Sequence, residues 1–163
     1  VRRYAIYAVA CFTAILLSRE LAYSLPIAGV GPDLLIIVLA AFAAGEQPRV
    51  AAVGGYTAGF VRDLLLTTPV GLGALAYAVT GYAVALVGPL RGVWAFVAVV
   101  AGATFVSQTI HGVATIVIGQ NVDASMLPRV VLVTTMYDAI LAPLLMPLLR
   151  RLVITEAAGA TTE

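Results

Sequence analysis

Gly54–Leu75 reads G-G-Y-T-A-G-F-V-R-D-L-L-L-T-T-P-V-G-L-G-A-L. Glycines and two adjacent opposite charges, Arg62 and Asp63, sit in a run that is otherwise apolar enough for a membrane. Charged groups placed inside lipid are costly, so such residues face a bundle interior or an aqueous edge. Thr67-Thr68-Pro69-Val70-Gly71 then makes a turn, and a second apolar segment follows. The stretch therefore reads as a helix–turn–helix, with the rest of the chain packed around it.

The rest of the composition agrees. Of 163 residues, 62% are hydrophobic and 10% charged, with a mean hydropathy of +1.06. A soluble domain carries about 25% charged residues, so this chain lacks the polar surface of a water-soluble globule. The net charge of +1 and the lack of a basic run give no sign of nucleic-acid binding. All nine cations are arginine. One cysteine, Cys11, excludes an intrachain disulfide and a cysteine metal cluster. Arg2-Arg3 before an apolar run resembles a signal peptide, but Arg19-Glu20 stands where a cleavage site would fall, so a retained first helix is expected.

Six spans are predicted: 4–25, 33–44 (at most from 27), 50–67, 69–87, 93–118 and 130–149. Pro26, Gly29, Gly31 and Pro32 break the chain after the first. The clean apolar core of the second, Leu34–Ala44, is short against the roughly 20 residues needed to cross a bilayer. The loop Gly45–Arg49 makes spans two and three antiparallel neighbours. The outer loop 119–129 contains Asp123, read as solvated. With the N-terminus inside, inner segments carry Arg2, Arg3, Arg49, Arg91, Arg150 and Arg151, and outer segments Arg19, Arg62 and Arg129. That excess places both termini in the cytoplasm. The expected organisation is an all-α membrane protein: a single six-helix transmembrane domain over 1–154 and a disordered cytoplasmic tail over 155–163.

Four features give a family resemblance: Pro32-Asp33 opening P-D-L-L-I-I-V-L; the glycine-spaced third span ending in Asp63; Thr68-Pro69-Val70-Gly71-Leu72-Gly73-Ala74-Leu75; and Tyr137-Asp138-Ala139-Ile140-Leu141-Ala142-Pro143-Leu144-Leu145 with Pro147-Leu148-Leu149-Arg150-Arg151. In their order and spacing, over nearly the whole chain, they resemble the rod shape-determining protein MreD family. Asp138 departs from the pattern, where family members more often have Asn. The resemblance implies a non-enzymatic subunit of the bacterial cell-wall elongation complex in the cytoplasmic (inner) membrane. Its implied partners are MreC and, with it, MreB, RodA and a class B penicillin-binding protein. It also implies a bundle similar to the six-helix substrate-binding subunits of vitamin transporters.

Arg62, Asp63, His111 and Asp138 are the candidate polar-pocket or partner-binding residues. Arg62 and Asp63 point about 100° apart on a helix and cannot easily pair. They either shape an outward cavity or docking edge, or form a solvated helix end. Counting inward from the outer boundary at 1.5 Å per residue puts His111 and Asp138 at one depth, about 10–12 Å. Contact between them is therefore expected, as a proton-responsive element, a pocket floor or a structural pair. Asp33, after Pro32, reads as a helix N-cap. Arg19 and Glu20 read as an interfacial pair. Gly55 and Gly59, a G-x-x-x-G pair, and Gly71 and Gly73 read as close-packing or docking positions, serving either the bundle or a partner's helix.

No catalytic constellation is evident. Ser107 and His111 share a helical face, without a third group or oxyanion donors. No phosphate loop or metal-ligand cluster is present in the sequence, and no cofactor is expected. The alternative to a scaffold is a small-molecule-binding or transport subunit with an outward-facing polar pocket.

Overall fold

The structure, a computed structural model, describes residues 2–24, 30–66, 69–119 and 123–149. Six α-helices follow one another: α1 (Arg2–Ser24), α2 (Leu34–Ala43), α3 (Pro48–Leu65), α4 (Leu72–Val87), α5 (Val93–Val117) and α6 (Leu127–Leu149). A single 3-10 turn, Ala124–Met126, precedes α6. The helices fall within a few residues of the predicted spans. The predicted tail 155–163, Arg150, Arg151, Pro26, Gly29, Thr67 and Thr68 lie outside the described residues.

The helices differ in reach. Arg3–Ser24, Val93–Val117 and Ala124–Leu149 are long and apolar enough to cross a membrane. α2 and α4 are apolar but shorter, and α3 carries Arg49, Arg62 and Asp63 within its 18 residues. Ten residues of α2 extend about 15 Å, half of a hydrocarbon core of about 30 Å.

α2 is the axis of the bundle. All ten of its residues are buried, and it packs against each of the other five helices. Its sequence, L-L-I-I-V-L-A-A-F-A, has no polar face to give to solvent, and a helix apolar all round belongs inside.

α3 and α4 interlock through their glycines. A Cβ on Gly55 would run into the Tyr77 carbonyl, and one on Gly59 would lie 2.6 Å from the Gly73 oxygen. A Cβ on Gly81 would lie 2.5 Å from the Ala51 oxygen. Only hydrogen fits at these crossings, so the small-residue faces are used within the chain. Gly71 serves differently: its φ of +104° makes the turn into α4, a conformation that glycine adopts without steric cost.

α1 is held at its two ends. Near its start, Arg3 pairs with Glu46 at 2.9 Å. Tyr7 stacks on Phe42 with ring centroids 4.0 Å apart, and its hydroxyl donates to the Gly54 carbonyl at 3.1 Å. Near its other end, Ser18 Oγ accepts the Leu34 N–H at 3.0 Å. Arg19 and Glu20 are both exposed, and no ion pair joins them, contrary to expectation.

Candidate functional site

Short helices buried in a bundle leave N–H groups at their first turns without intrahelical partners. In lipid those groups need partners from protein. Two aspartates from elsewhere in the chain supply them here.

Asp63, at the end of α3, turns to the start of α4. Its Oδ2 accepts the N–H groups of Gly71, Gly73 and Ala74 at 3.0, 2.9 and 3.2 Å. A carboxylate there meets the positive end of the α4 dipole. Gly73 must remain glycine, because a Cβ would collide with the Asp63 carboxylate.

Asp138, on α6, does the same for α2. Its Oδ1 accepts the Asp33 N–H at 2.8 Å and its Oδ2 accepts the Thr104 hydroxyl at 2.8 Å. Asp33 stands at the N-cap position of α2, but its side chain makes no capping bond. Its Oδ2 instead accepts from the Tyr77 hydroxyl and from Gln108 Nε2 at 3.1 Å. Arg62 pairs with the same oxygen at 3.7 Å and lies 5.4 Å from the Tyr77 ring centroid, within cation–π range. With donors from three helices facing it, the carboxylate turns away from its own helix. Asp33, Asp63 and Asp138 are 5%, 1% and 0% exposed, a burial that only paired carboxylates sustain.

The cluster thus draws on every helix: Ser18, Asp33, Arg62, Tyr77, Thr104, Gln108 and Asp138. Arg62 and Asp138 were legible as candidates, and Arg62 and Asp63 do find separate partners. Asp33 belongs here as a hub rather than as a cap. Ser18, Tyr77 and Thr104 were missed. Thr104, Gln108 and His111 recur at helical spacing in an apolar span, and that stripe was the available signal.

His111 does not meet Asp138, contrary to expectation. Both Asp138 oxygens are engaged elsewhere, and the buried His111 Nδ1 has no hydrogen-bond partner. The reason is register. α6 begins at Leu127 rather than Val130, which sinks Asp138 about 16 Å from the helix start, against about 9 Å for His111 on α5. Thr104, two turns deeper than His111, is what lies level with Asp138.

Asp123 lies outside the bundle and binds the Ser125 N–H at 2.9 Å. Hydrogen bonding from Ser125 holds its carboxyl below the usual carboxylate range. Among the described residues no group of three or more His, Cys, Asp or Glu could hold a metal ion. Cys11 is buried and free.

A cavity of about 470 Å³ opens onto the cluster, lined by Ser18, Arg19, Asp33, Arg62, Gln108 and Thr134 among others. The class defined is a helical membrane bundle whose two shorter helices, α2 and α4, are anchored at their starts by buried aspartates, with a polar cavity beside the start of α2. The sequence model of the family described as rod shape-determining protein MreD matches residues 2–155. The chain belongs to the MreD family, and so is a rod shape-determining membrane protein. No curated protein and no solved structure matches the chain, so the expected similarity to vitamin-transporter subunits gains no structural support.

Proposed function

We propose that this protein is a non-enzymatic scaffold of the bacterial elongation complex in the cytoplasmic membrane, with both termini inside. It binds the transmembrane or membrane-proximal segment of MreC. Through that complex it works with RodA, a class B penicillin-binding protein and MreB in peptidoglycan synthesis and shape control. The family match over residues 2–155 carries this reading. The glycine seam is occupied by α3 and α4 themselves, so a partner helix has to dock on an outer face. α6 offers such a face in Leu132, Met136, Ile140 and Leu144, all exposed. Photo-crosslinkers at these positions, and at Leu75 and Val79 on α4, test it in cells. The reading expects MreC adducts from one of these faces. No MreC adduct from any position, with the protein folded in the membrane, overturns it.

A ligand-binding or transport subunit is the second reading. The polar cavity beside Asp33 and Arg62 favours it.

A further inference from the structure

The polar cavity is one end of a longer cleft between α1 and α3. A second cavity, of about 650 Å³, lies along the same two helices, walled by Tyr4, Ala8, Phe12, Val53 and Val61 among others. Ile15 lines both cavities, and Val61 of the apolar one adjoins Arg62 of the polar one. The cleft therefore changes from hydrocarbon-like to polar within one helical turn.

The polar end is lined by two guanidiniums, Arg62 and Arg19, against the one carboxylate of Asp33. The Asp33 carboxylate already receives Tyr77, Gln108 and Arg62, and that of Asp138 is turned to the Asp33 N–H and Thr104. Arg62 has a single ion pair at 3.7 Å and a ring contact, which leave most of its five N–H donors unused. Arg19 adds a second guanidinium at the mouth. The guanidinium fork suits phosphate oxygens. The apolar end, from Tyr4 to Ile15, is about 16 Å long, close to the roughly 15 Å depth of one leaflet.

We propose that the α1–α3 cleft holds one anionic phospholipid, with its phosphate on Arg62 and Arg19 and an acyl chain laid between the two helices. The proposal rests on the cavity behind the second reading and not on MreC. The isolated protein tests it, so its failure leaves the scaffold reading standing.

The test is native mass spectrometry of the full chain released from detergent, after incubation with phosphatidylglycerol or phosphatidylcholine, with and without glycerol phosphate. One phosphatidylglycerol should be retained, about tenfold more readily than phosphatidylcholine, a gap of about 1.4 kcal/mol. Glycerol phosphate, which lacks the tails, should not compete. Arg62→Gln should abolish the preference; where that variant does not fold, Arg19→Gln at the exposed mouth should reduce it. Ala8→Trp, filling the apolar half, should lower retention of both lipids. Equal retention of the two lipids by the unaltered protein overturns the proposal. So does full competition by glycerol phosphate, which marks a site for a free anion, or retention unchanged by Ala8→Trp.

Discussion

The two flanks of α2 are built on opposite plans. On one, α3 and α4 meet backbone to backbone at Gly55, Gly59 and Gly81, with no room for a methyl group. On the other, α1 is fastened near its ends, by Arg3 and Tyr7 at one and Ser18 at the other. Between these ends the cleft toward α3 stays open, and a second apolar groove, of about 490 Å³, runs along α1, α2 and α6. Small residues at the α3–α4 crossing therefore mark where the chain recognises itself, whereas along α1 the grooves stay open, beside Ala8 in one and beside Ala5, Ala10 and Ala14 in the other. A glycine motif in lipid signals close approach; it does not say whose helix approaches.

Substitution on the two flanks should separate them. The largest effect is expected at Gly55→Leu, which drives a side chain into the Tyr77 backbone. Overpacking against backbone should cost about 3 kcal/mol or more, seen as loss of folded protein or a steep fall in thermal stability in detergent. Ala8→Leu on exposed α1 should change stability by about 0.5 kcal/mol or less. Equal losses at the two sites would erase the contrast.

Next comes the anchor of α2. Asp138→Ala leaves the buried Asp33 N–H and the Thr104 hydroxyl without their acceptor. Each such group costs about 1–3 kcal/mol. Asp138→Asn keeps an oxygen for the Asp33 N–H and should cost about 1 kcal/mol or less. Thermal melts of the two variants check the difference, and an Asn variant as unstable as the Ala variant would show that the negative charge carries the anchor.

The smallest effect is a coupling near zero. His111→Ala and Asp138→Ala should add in a double-mutant cycle to within about 0.5 kcal/mol, because Asp138 is bonded elsewhere. A larger coupling would bring the two side chains back into contact.

Much of this was legible in the sequence. Apolar runs and their breakers placed six helices, because helix ends in such a chain are punctuated by Gly, Pro and Arg. The shortness of span two was visible in Leu34–Ala44, and its central burial is the consequence. Arg62 and Asp63 stood out because charge in an apolar run demands partners. Which partners they take was not legible. An error of three residues at the start of α6 moved Asp138 by nearly a turn and misassigned its neighbour. Asp33 looked like a cap because its position is that of one; its carboxylate answers to Tyr77, Gln108 and Arg62, which come from helices far away in sequence. Tyr77 and Thr104 are ordinary residues in apolar helices, and only three-dimensional packing gives them a role.

The polar hub itself is best tested by the coupling between Asp33 and Gln108, 75 residues apart and on different helices. In a cycle of Asp33→Ala, Gln108→Ala and the double variant, read by thermal stability in detergent, the bonded pair should couple by about 1–2 kcal/mol. Strict additivity of the two substitutions would contradict the assembly of that hub around the start of α2.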